Sequence, residues 1–283
     1  MTPPPDLAAV VVRATGSTAR KVRALAGGCI DQVLKVDLTN GAAVVVKQGE
    51  RAVLEGWMLD YLRGHGDLPV PEVLLAEDGW LVMSFIDTAG PLDDDAERHA
   101  ADLLVRLHET RGPAFGFERD TVIASLAQPN PRTPLWRDFF RDHRLLHMAG
   151  EADDAGRLPA DMRHRIDRLA GRLDRWIEEP DHPALIHGDM WGGNVLTRAG
   201  RIAGFIDPAI YHADPEIELA FSTLFSTFGA AFFDRYGERR PLRPGFFEAR
   251  RDLYNLYPLL VHVRLFGAGY VGSVDGILKR FGC

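Results

Sequence analysis

The residues best suited to chemistry are concentrated in one short segment of this chain. Asp189 and Asn194 stand in the sequence His-Gly-Asp-Met-Trp-Gly-Gly-Asn, and Asp207 follows shortly after it. Phosphoryl transfer from a nucleotide needs such groups, because the protein mostly positions the reactants and neutralises their charge. Asp189 would take the proton of the attacking hydroxyl, Asn194 would hold one Mg²⁺ ion, and Asp207 would bind a second. Each residue alone could be a turn former or a strand cap, but turn chemistry does not explain the whole spaced set.

Two apolar runs frame these polar residues. Residues 184–186 are Ala-Leu-Ile, and residues 195–206 form a second apolar stretch that Ala199-Gly200 interrupts as a turn. Strand and turn signals of this kind place Asp189 and Asn194 on a loop, with Asp207 just past the end of a strand. The three side chains can therefore converge.

A phosphoryl-transfer enzyme of this type also needs a lysine on a strand and a glutamate on the following helix. Residues 33–47 predict a hairpin around the turn signal Asn40-Gly41, and Lys47 ends its second strand. Glu55 lies at the border of the apolar stripe of the next helix and is preferred as the partner of Lys47. Glu50 is the competitor, but it precedes that stripe. The stripe follows helical spacing: Leu54, Trp57, Met58, Tyr61 and Leu62.

Two further segments are candidates for contact with the nucleotide. Gly27 and Gly28 precede the hairpin, where successive amide groups could cradle a phosphate. An apolar strand from Trp80 onward runs into a polar stretch, and its end is the candidate for adenine binding. The residues proposed for that contact are Met83, Ser84, Phe85 and Ile86. Neither segment needs a ligand to explain it, since two glycines often form an ordinary turn.

Taken together, these motifs resemble the fructosamine kinase family, within the wider group of kinases similar to aminoglycoside and choline phosphotransferases. The resemblance rests on residues 27–30, on 187–194 and on 206–220. The motif around Asp189, at residues 187–194, is shared with the wider group. Trp191, the Asp-Pro-Ala at 207–209 and the Glu-x-Glu-Leu-Ala at 216–220 are more particular to the fructosamine kinases. The similarity spans nearly the whole chain and departs at Asp31, where a small hydroxyl residue is usual.

The resemblance implies ATP-dependent, Mg²⁺-dependent phosphorylation of a ketoamine, the rearranged adduct of a sugar with an amine. The family's substrates carry the sugar on free amino acids or on protein lysines, and the phosphoryl group goes to the third carbon of the sugar. Ribulosamine, erythrulosamine and fructosamine are all possible acceptors. The family's Gly-Gly-Cys loop also implies that Cys29 is a possible redox site, so the protein is expected to be a monomer or a redox-dependent dimer.

Bulk properties exclude several classes of protein without selecting this one. The net charge of -7 and the pI near 5.8 argue against a nucleic-acid-binding protein. Two cysteines, Cys29 and Cys283, cannot form a disulfide framework, which favours a reducing compartment. The first residues lack a basic leader, and no apolar run approaches the length needed to cross a bilayer. A cytoplasmic protein without membrane contact is therefore expected.

These patterns predict an α+β, two-lobed protein kinase-like fold. Residues 1–86 would form a small, β-rich nucleotide-binding lobe, and residues 87–283 a larger, mainly helical lobe that provides catalysis and acceptor binding. Helices are predicted at 94–109, 136–149, 160–178 and from 245 onward, with a polar loop at 150–158.

The acceptor site is the least determined part of the sequence. Trp191 and Tyr211 could shape a sugar site, although both could equally be core residues. Glu216 is a third candidate, but a first-turn acid also suits the helix dipole. Two alternative functions stay open: phosphorylation of an aminoglycoside or small amino-alcohol, and an inert kinase-like scaffold that only binds nucleotide. The few acids near the loop argue against polycationic acceptors, and an intact Asp189 argues against a scaffold.

Overall fold

The computed structural model describes residue 4, residues 6–25 and residues 32–283. Its helices are α1 Leu7–Thr15, α2 Ala52–His65, α3 Asp94–Glu109, α4 Trp136–Phe140, α5 His147–Asp154, α6 Ala160–Ala170, α7 Glu216–Leu224, α8 Ala230–Arg239, α9 Arg251–Phe266 and α10 Val271–Arg280. Its strands are β1 Ala19–Ala24, β2 Gln32–Leu38, β3 Ala43–Gln48, β4 Val73–Glu77, β5 Trp80–Ser84, β6 Thr121–Ile123, β7 Leu126–Gln128, β8 Ala184–Ile186, β9 Val195–Arg198, β10 Arg201–Phe205 and β11 Tyr211–Ala213.

The chain divides into two compact units. Unit 1 comprises Met1–Leu103 with Gly193–Pro208, and unit 2 comprises Leu104–Gly192 with Ala209–Cys283. The segment that carries Asn194 and Asp207 therefore belongs to the same unit as the amino-terminal strands. The boundary predicted after residue 86, between a nucleotide-binding lobe and a catalytic lobe, lies within unit 1. The assignment of these roles to the two lobes stays a prediction.

Unit 1 is built on a five-stranded antiparallel sheet in the order β1-β2-β3-β5-β4. Side chains alternate across such a sheet, so each face acquires its own core. On one face Val36, Val46 and their neighbours pack against α1, and on the other Val45, Leu81 and Met83 pack against α2. Each of these buried side chains stabilises the fold by about 1.5–3 kcal/mol relative to an exposed one. Lys47 shares the second face with Val45.

The β2–β3 hairpin was predicted from its turn, and the structure confirms it. Val33 pairs with Lys47, and the turn at Asn40-Gly41 closes with the Gly41 amide donating to the carbonyl of Leu38. Gly41 has a φ of 90°, a conformation that favours glycine. The turn fixes the register of the hairpin, and that register puts Lys47 on the α2 face of the sheet.

Unit 2 is mainly helical, and its helices depart from the predicted bounds in two places. The helix beginning at Trp136 continues to Asp154 through a π-helical turn at Arg141–Leu146, so the expected loop at 150–158 begins later. Met148, Ala149 and Ala152 are buried where this segment packs on α9, and that packing outweighs the weak helix propensity of the sequence around Gly150. The helix beginning at Ala160 stops at Ala170 instead of 178, because Gly171 follows it.

The helix predicted at 94–109 is confirmed as α3. In the part of the chain that the structure describes, no helix combines the length and apolar character that crossing a bilayer requires.

Candidate active site

Lys47 lies at the centre of an ion-paired cluster in unit 1. Its side chain is 8% exposed, and its ammonium donates to Glu55 Oε1 at 2.6 Å and also to Asp207 Oδ1. Glu55 lies in the first turn of α2, whereas Glu50 is exposed. The structure thus brings Lys47, Glu55 and Asp207 together. It also selects Glu55 over Glu50 as the partner of Lys47.

The electrostatics of this cluster keep Lys47 charged. Burial alone would lower the pKa of Lys47, but the carboxylates of Glu55 and Asp207 more than offset it, and the pKa is raised above its ordinary value. A permanently charged ammonium, held between two carboxylates on a sheet surface, is suited to contact an anionic ligand such as a phosphate chain.

The β9–β10 hairpin positions Asn194 and Asp207 together. Val195 pairs with Phe205, so the residues just outside this pair also face each other, and the Ile206 amide donates to the Asn194 carbonyl at 3.1 Å. Asn194 is buried, while the Asp207 side chain is 41% exposed. Asp207 also has a φ of 54°, a left-handed conformation that is uncommon for a residue other than glycine. Such local strain concentrates at functional sites.

In unit 2, Asp189 stands on a loop directly after β8, as the sequence predicted. Its own amide donates to His187 Nδ1 at 3.3 Å, and the His187 carbonyl accepts the amide of Ala209 at 2.8 Å. Gly188 has a φ of 87°, and a Cβ there would collide with the backbone of Ala209. Only glycine fits between these segments, so the loop that presents Asp189 is tightly specified.

Glu218 holds the same loop by accepting a hydrogen bond from its backbone, a contact that the sequence does not predict. Its Oε1 accepts the Gly188 amide at 2.7 Å, and its Oε2 pairs with His108 Nε2 at 2.8 Å. The other ring nitrogen of His108 lies 2.8 Å from the Tyr236 hydroxyl. Glu218 is 2% exposed and His108 is fully buried. The Glu-x-Glu spacing on α7 was a visible signal, but nothing in the sequence pairs Glu218 with the amide of Gly188.

We expect Glu218→Ala to lower the free energy of unfolding by about 2–4 kcal/mol, because it leaves a buried amide and a buried imidazole without their shared acceptor. Chemical denaturation of the purified variant measures this change. Glu238→Ala is the matched control on α8, since that side chain is 63% exposed and forms a surface pair with Arg235. The control should change stability by less than about 0.5 kcal/mol. Equal losses in both variants would contradict a bracing role for Glu218.

The candidate adenine-binding segment ends β5. Met83 is buried, and the amides of Ser84 and Phe85 already donate to the carbonyls of Glu72 and Ala43. Lys35 lies with its ammonium 3.2 Å from the centre of the Phe85 ring. The prediction that this segment binds adenine is therefore limited to its carbonyl groups and to Ile86, because the amides of Ser84 and Phe85 are already used.

The acceptor candidates occupy different environments. Trp191 is 37% exposed next to the loop, but Tyr211 is 1% exposed, and the Arg144 guanidinium lies 3.8 Å from the centre of its ring. Glu216 is buried, and Arg250 donates to it at 3.0 Å. Burial would raise the pKa of Glu216, but its bonds to Arg250 and Arg243 outweigh burial and lower it. These placements favour the structural alternative for Tyr211 and Glu216 and leave Trp191 accessible.

Three predicted residues, Gly27, Gly28 and Cys29, lie outside the described residues.

Comparison with known proteins identifies the family to which the chain belongs. The profile of the family described as Fructosamine kinase matches residues 5–281. The chain belongs to the fructosamine kinase family. A probable ketoamine kinase of Synechocystis is 34% identical over 272 residues, covering 91% of this chain and 89% of that protein. A chloroplastic protein-ribulosamine 3-kinase of rice (Oryza sativa subsp. japonica) is 31% identical over 275 residues, covering 92% and 78% of the respective chains.

Solved structures give the fold. A proposed fructosamine-3-kinase from Thermobifida fusca superimposes with a TM-score of 0.85 at 30% identity, covering 96% of this chain and 98% of that one. The aminoglycoside phosphotransferase APH(4)-Ia, as a thermostable mutant, gives a TM-score of 0.70 at 19% identity, covering 97% and 99%. The latter shows the shared fold alone. The predicted α+β fold of kinase-like phosphotransferases is confirmed.

Proposed function

We propose that this protein is an ATP-dependent ketoamine kinase. Family membership supports the substrate class, because the similar proteins are ketoamine and protein-ribulosamine 3-kinases. The observation that carries the proposal is the buried Lys47 ammonium, paired with Glu55 on one side and Asp207 on the other. In phosphotransferases of this type a lysine contacts the nucleotide phosphates, a glutamate on the next helix holds that lysine in place, and a nearby aspartate binds the metal.

In the proposed reaction, a sugar hydroxyl of the ketoamine attacks the γ-phosphorus of ATP. A bond forms between that oxygen and phosphorus, the bond from phosphorus to the β–γ bridging oxygen breaks, and ADP leaves. Asp189 accepts the proton of the attacking hydroxyl, as a positioned general base. By resemblance to the family, the hydroxyl is that of the third carbon.

The donor set suits Mg²⁺. Magnesium is held in proteins through one or two carboxylates together with substrate phosphates. Asn194 and Asp207 offer an amide oxygen and a carboxylate at the same end of the β9–β10 hairpin. Asn194 would hold one Mg²⁺ ion and Asp207 a second, and these ions when bound would neutralise charge on the phosphates.

Relatives in the same family favour a ketoamine over an aminoglycoside as the acceptor, since the aminoglycoside phosphotransferase shares only the fold. The inert-scaffold alternative is disfavoured by the tight specification of the Asp189 loop, because nucleotide binding alone has no need for a proton acceptor.

The test is a turnover screen. Purified protein with Mg²⁺ and ATP is incubated with a ribulosamine, a fructosamine, an aminoglycoside and a small amino-alcohol, and ADP release is measured. Phosphorus NMR then locates the transferred group. ADP release with the ketoamines, abolished in Lys47→Met, is the expected result. Turnover of only the aminoglycoside or the amino-alcohol would overturn the substrate class, and ATP binding without any turnover would favour a scaffold.

A further inference from the structure

Lys35 lies on the same face of the unit 1 sheet as Lys47, and the proposed reaction gives it no role. It stands in β2 directly opposite Val45 of β3, and Val45 stands opposite Met83 of β5. Lys47 is two residues beyond Val45 on the same strand, so these side chains all lie on one face. Val45, Met83 and Phe85 pack in one apolar cluster there. Lys35 is therefore a second lysine on the face that carries the proposed nucleotide contacts.

The position of Lys35 along this face suits contact with a base rather than with a phosphate chain. Strand residues rise about 3.3 Å each, so the position opposite Val45 lies roughly 7 Å from Lys47 along the strand. This displacement is toward the end of β5, where the Phe85 amide donates to the Ala43 carbonyl. That end is the candidate base-binding segment, whereas Lys47 is the candidate phosphate contact.

The Lys35 ammonium is held against Phe85 and still has hydrogens to donate. Its Nζ lies 3.2 Å from the centre of the Phe85 ring, a cation–π contact, and the side chain is only 12% exposed. Among the described residues Nζ donates no hydrogen bond, and the carboxylate within 4 Å of it, that of Asp37, is 3.9 Å away. Arg23, opposite Lys35 on β1, shares this carboxylate at 3.8 Å. A ligand that offers an acceptor here would satisfy a nearly buried donor, which is costly to leave without one.

A hydrogen-bond donor at this point distinguishes the two purines. Guanine presents two adjacent acceptors, N7 and O6, on one edge, whereas adenine presents the acceptor N7 beside the donor amino group N6. A lysine can only donate, so it attracts the guanine edge and is opposed by the adenine amino group. The amides of Ser84 and Phe85 already donate to carbonyls within unit 1, so they cannot replace Lys35 as this donor.

We propose that Lys35 contacts the O6 and N7 edge of guanine, and that the protein accepts GTP as well as ATP as its phosphoryl donor. This inference rests on the proposed function and extends it from the phosphates, which the two nucleotides share, to the base, in which they differ. The transfer itself is unchanged. The bond between the sugar oxygen and the γ-phosphorus forms, the bond to the β–γ bridging oxygen breaks, Asp189 takes the proton, and GDP leaves instead of ADP.

The experiment measures kcat/KM for GTP, ITP and ATP at saturating ribulosamine and Mg²⁺. ITP keeps the O6 and N7 of guanine but lacks its amino group, so recognition through O6 requires ITP and GTP to behave alike. The wild type should use GTP with a kcat/KM within about tenfold of that for ATP, and Lys35→Met should lower the ratio of the GTP value to the ATP value by about tenfold. Lys35→Arg keeps a donor at this point and should retain most of that ratio.

A binding measurement gives a readout that does not depend on turnover. Calorimetric titration should show that the wild type binds GDP within about tenfold of ADP and that Lys35→Met loses affinity for GDP selectively. Lys279→Met is the matched control, because this lysine on α10 is 71% exposed and lies in unit 2. It should leave both ratios unchanged. Thermal unfolding verifies that all variants are folded.

The outcomes separate this inference from the proposed function. If no nucleotide supports phosphorylation of a ketoamine, the proposed function fails, and the GDP and ADP titrations then decide the role of Lys35: a selective loss of GDP affinity in Lys35→Met supports it, and an equal loss of both overturns it. If the wild type turns over ATP but not GTP, or if Lys35→Met lowers kcat/KM equally for both, the function stands and Lys35 does not select the base. Turnover of GTP without turnover of ITP also overturns the inference, because recognition would then lie at the guanine amino group.

Discussion

Asp189→Asn is expected to reduce turnover of the ketoamine by about a hundredfold or more while leaving ATP affinity within about a few-fold, because it removes a positioned proton acceptor and leaves the loop intact. The loop should keep its shape, since it is held through backbone groups: the Gly188 amide on Glu218 and the Ala209 amide on the His187 carbonyl. Steady-state kinetics give the rate, and calorimetric titration with a non-hydrolysable ATP analogue gives the affinity.

A matched control isolates the role of Asp189 from the mere loss of a negative charge in unit 2. Asp234 is an exposed aspartate on α8, and Asp234→Asn should retain wild-type kinetics. Wild-type turnover in Asp189→Asn would remove Asp189 from the mechanism. A parallel loss of rate and ATP affinity would point instead to a structural role in the loop.

Local signals were sufficient to predict the parts of the site that lie on regular elements. The Asn40-Gly41 turn fixes the hairpin register, and the register decides the face on which Lys47 lies. The apolar stripe of α2 then directs Glu55 toward that face. Each step needs only neighbours in sequence, which is why the Lys47–Glu55 pair can be predicted from the sequence.

Contacts between residues far apart in sequence could not be predicted in the same way. Glu218 reaches Gly188 and His108 across 30 and 110 positions, respectively. Nothing in local periodicity distinguishes Glu218 from Glu216, which pairs with Arg250 and Arg243 instead. Only the three-dimensional packing of α7 decides which acid faces the catalytic loop.

The sequence left open whether two aromatic residues contact the sugar or belong to the core, and their burial in the structure distinguishes them. Tyr211 and Trp191 were equally plausible as sugar contacts, since both lie near the loop in sequence. Tyr211 lies in β11, paired with Ile186, and is covered by Arg144. Trp191 follows the loop, is 37% exposed and meets the Phe225 ring edge to face. The difference is one of tertiary packing, not of residue type.

The second large effect is expected at Asp207. Asp207→Ala should weaken binding of the magnesium–nucleotide complex by about tenfold or more, roughly 1.4 kcal/mol, and should also lower the rate. The carboxylate is 41% exposed and lies at the same hairpin end as Asn194, so its loss removes the charged oxygen that is proposed to bind the metal. Lys47 should stay protonated in the variant, because Glu55 still accepts its hydrogen bond at 2.6 Å.

This retained pair makes the prediction specific to the metal. Titration of an ATP analogue with and without Mg²⁺ should show a large loss of affinity for the variant only when Mg²⁺ is present. Asp78→Ala, which removes an exposed carboxylate between β4 and β5, is the matched control and should bind as the wild type does. If Asp207→Ala binds the magnesium complex normally, Asp207 is not a ligand of the ion. If affinity falls equally without Mg²⁺, the carboxylate acts by orienting Lys47 toward the phosphates, because its ion pair with Lys47 does not require the metal.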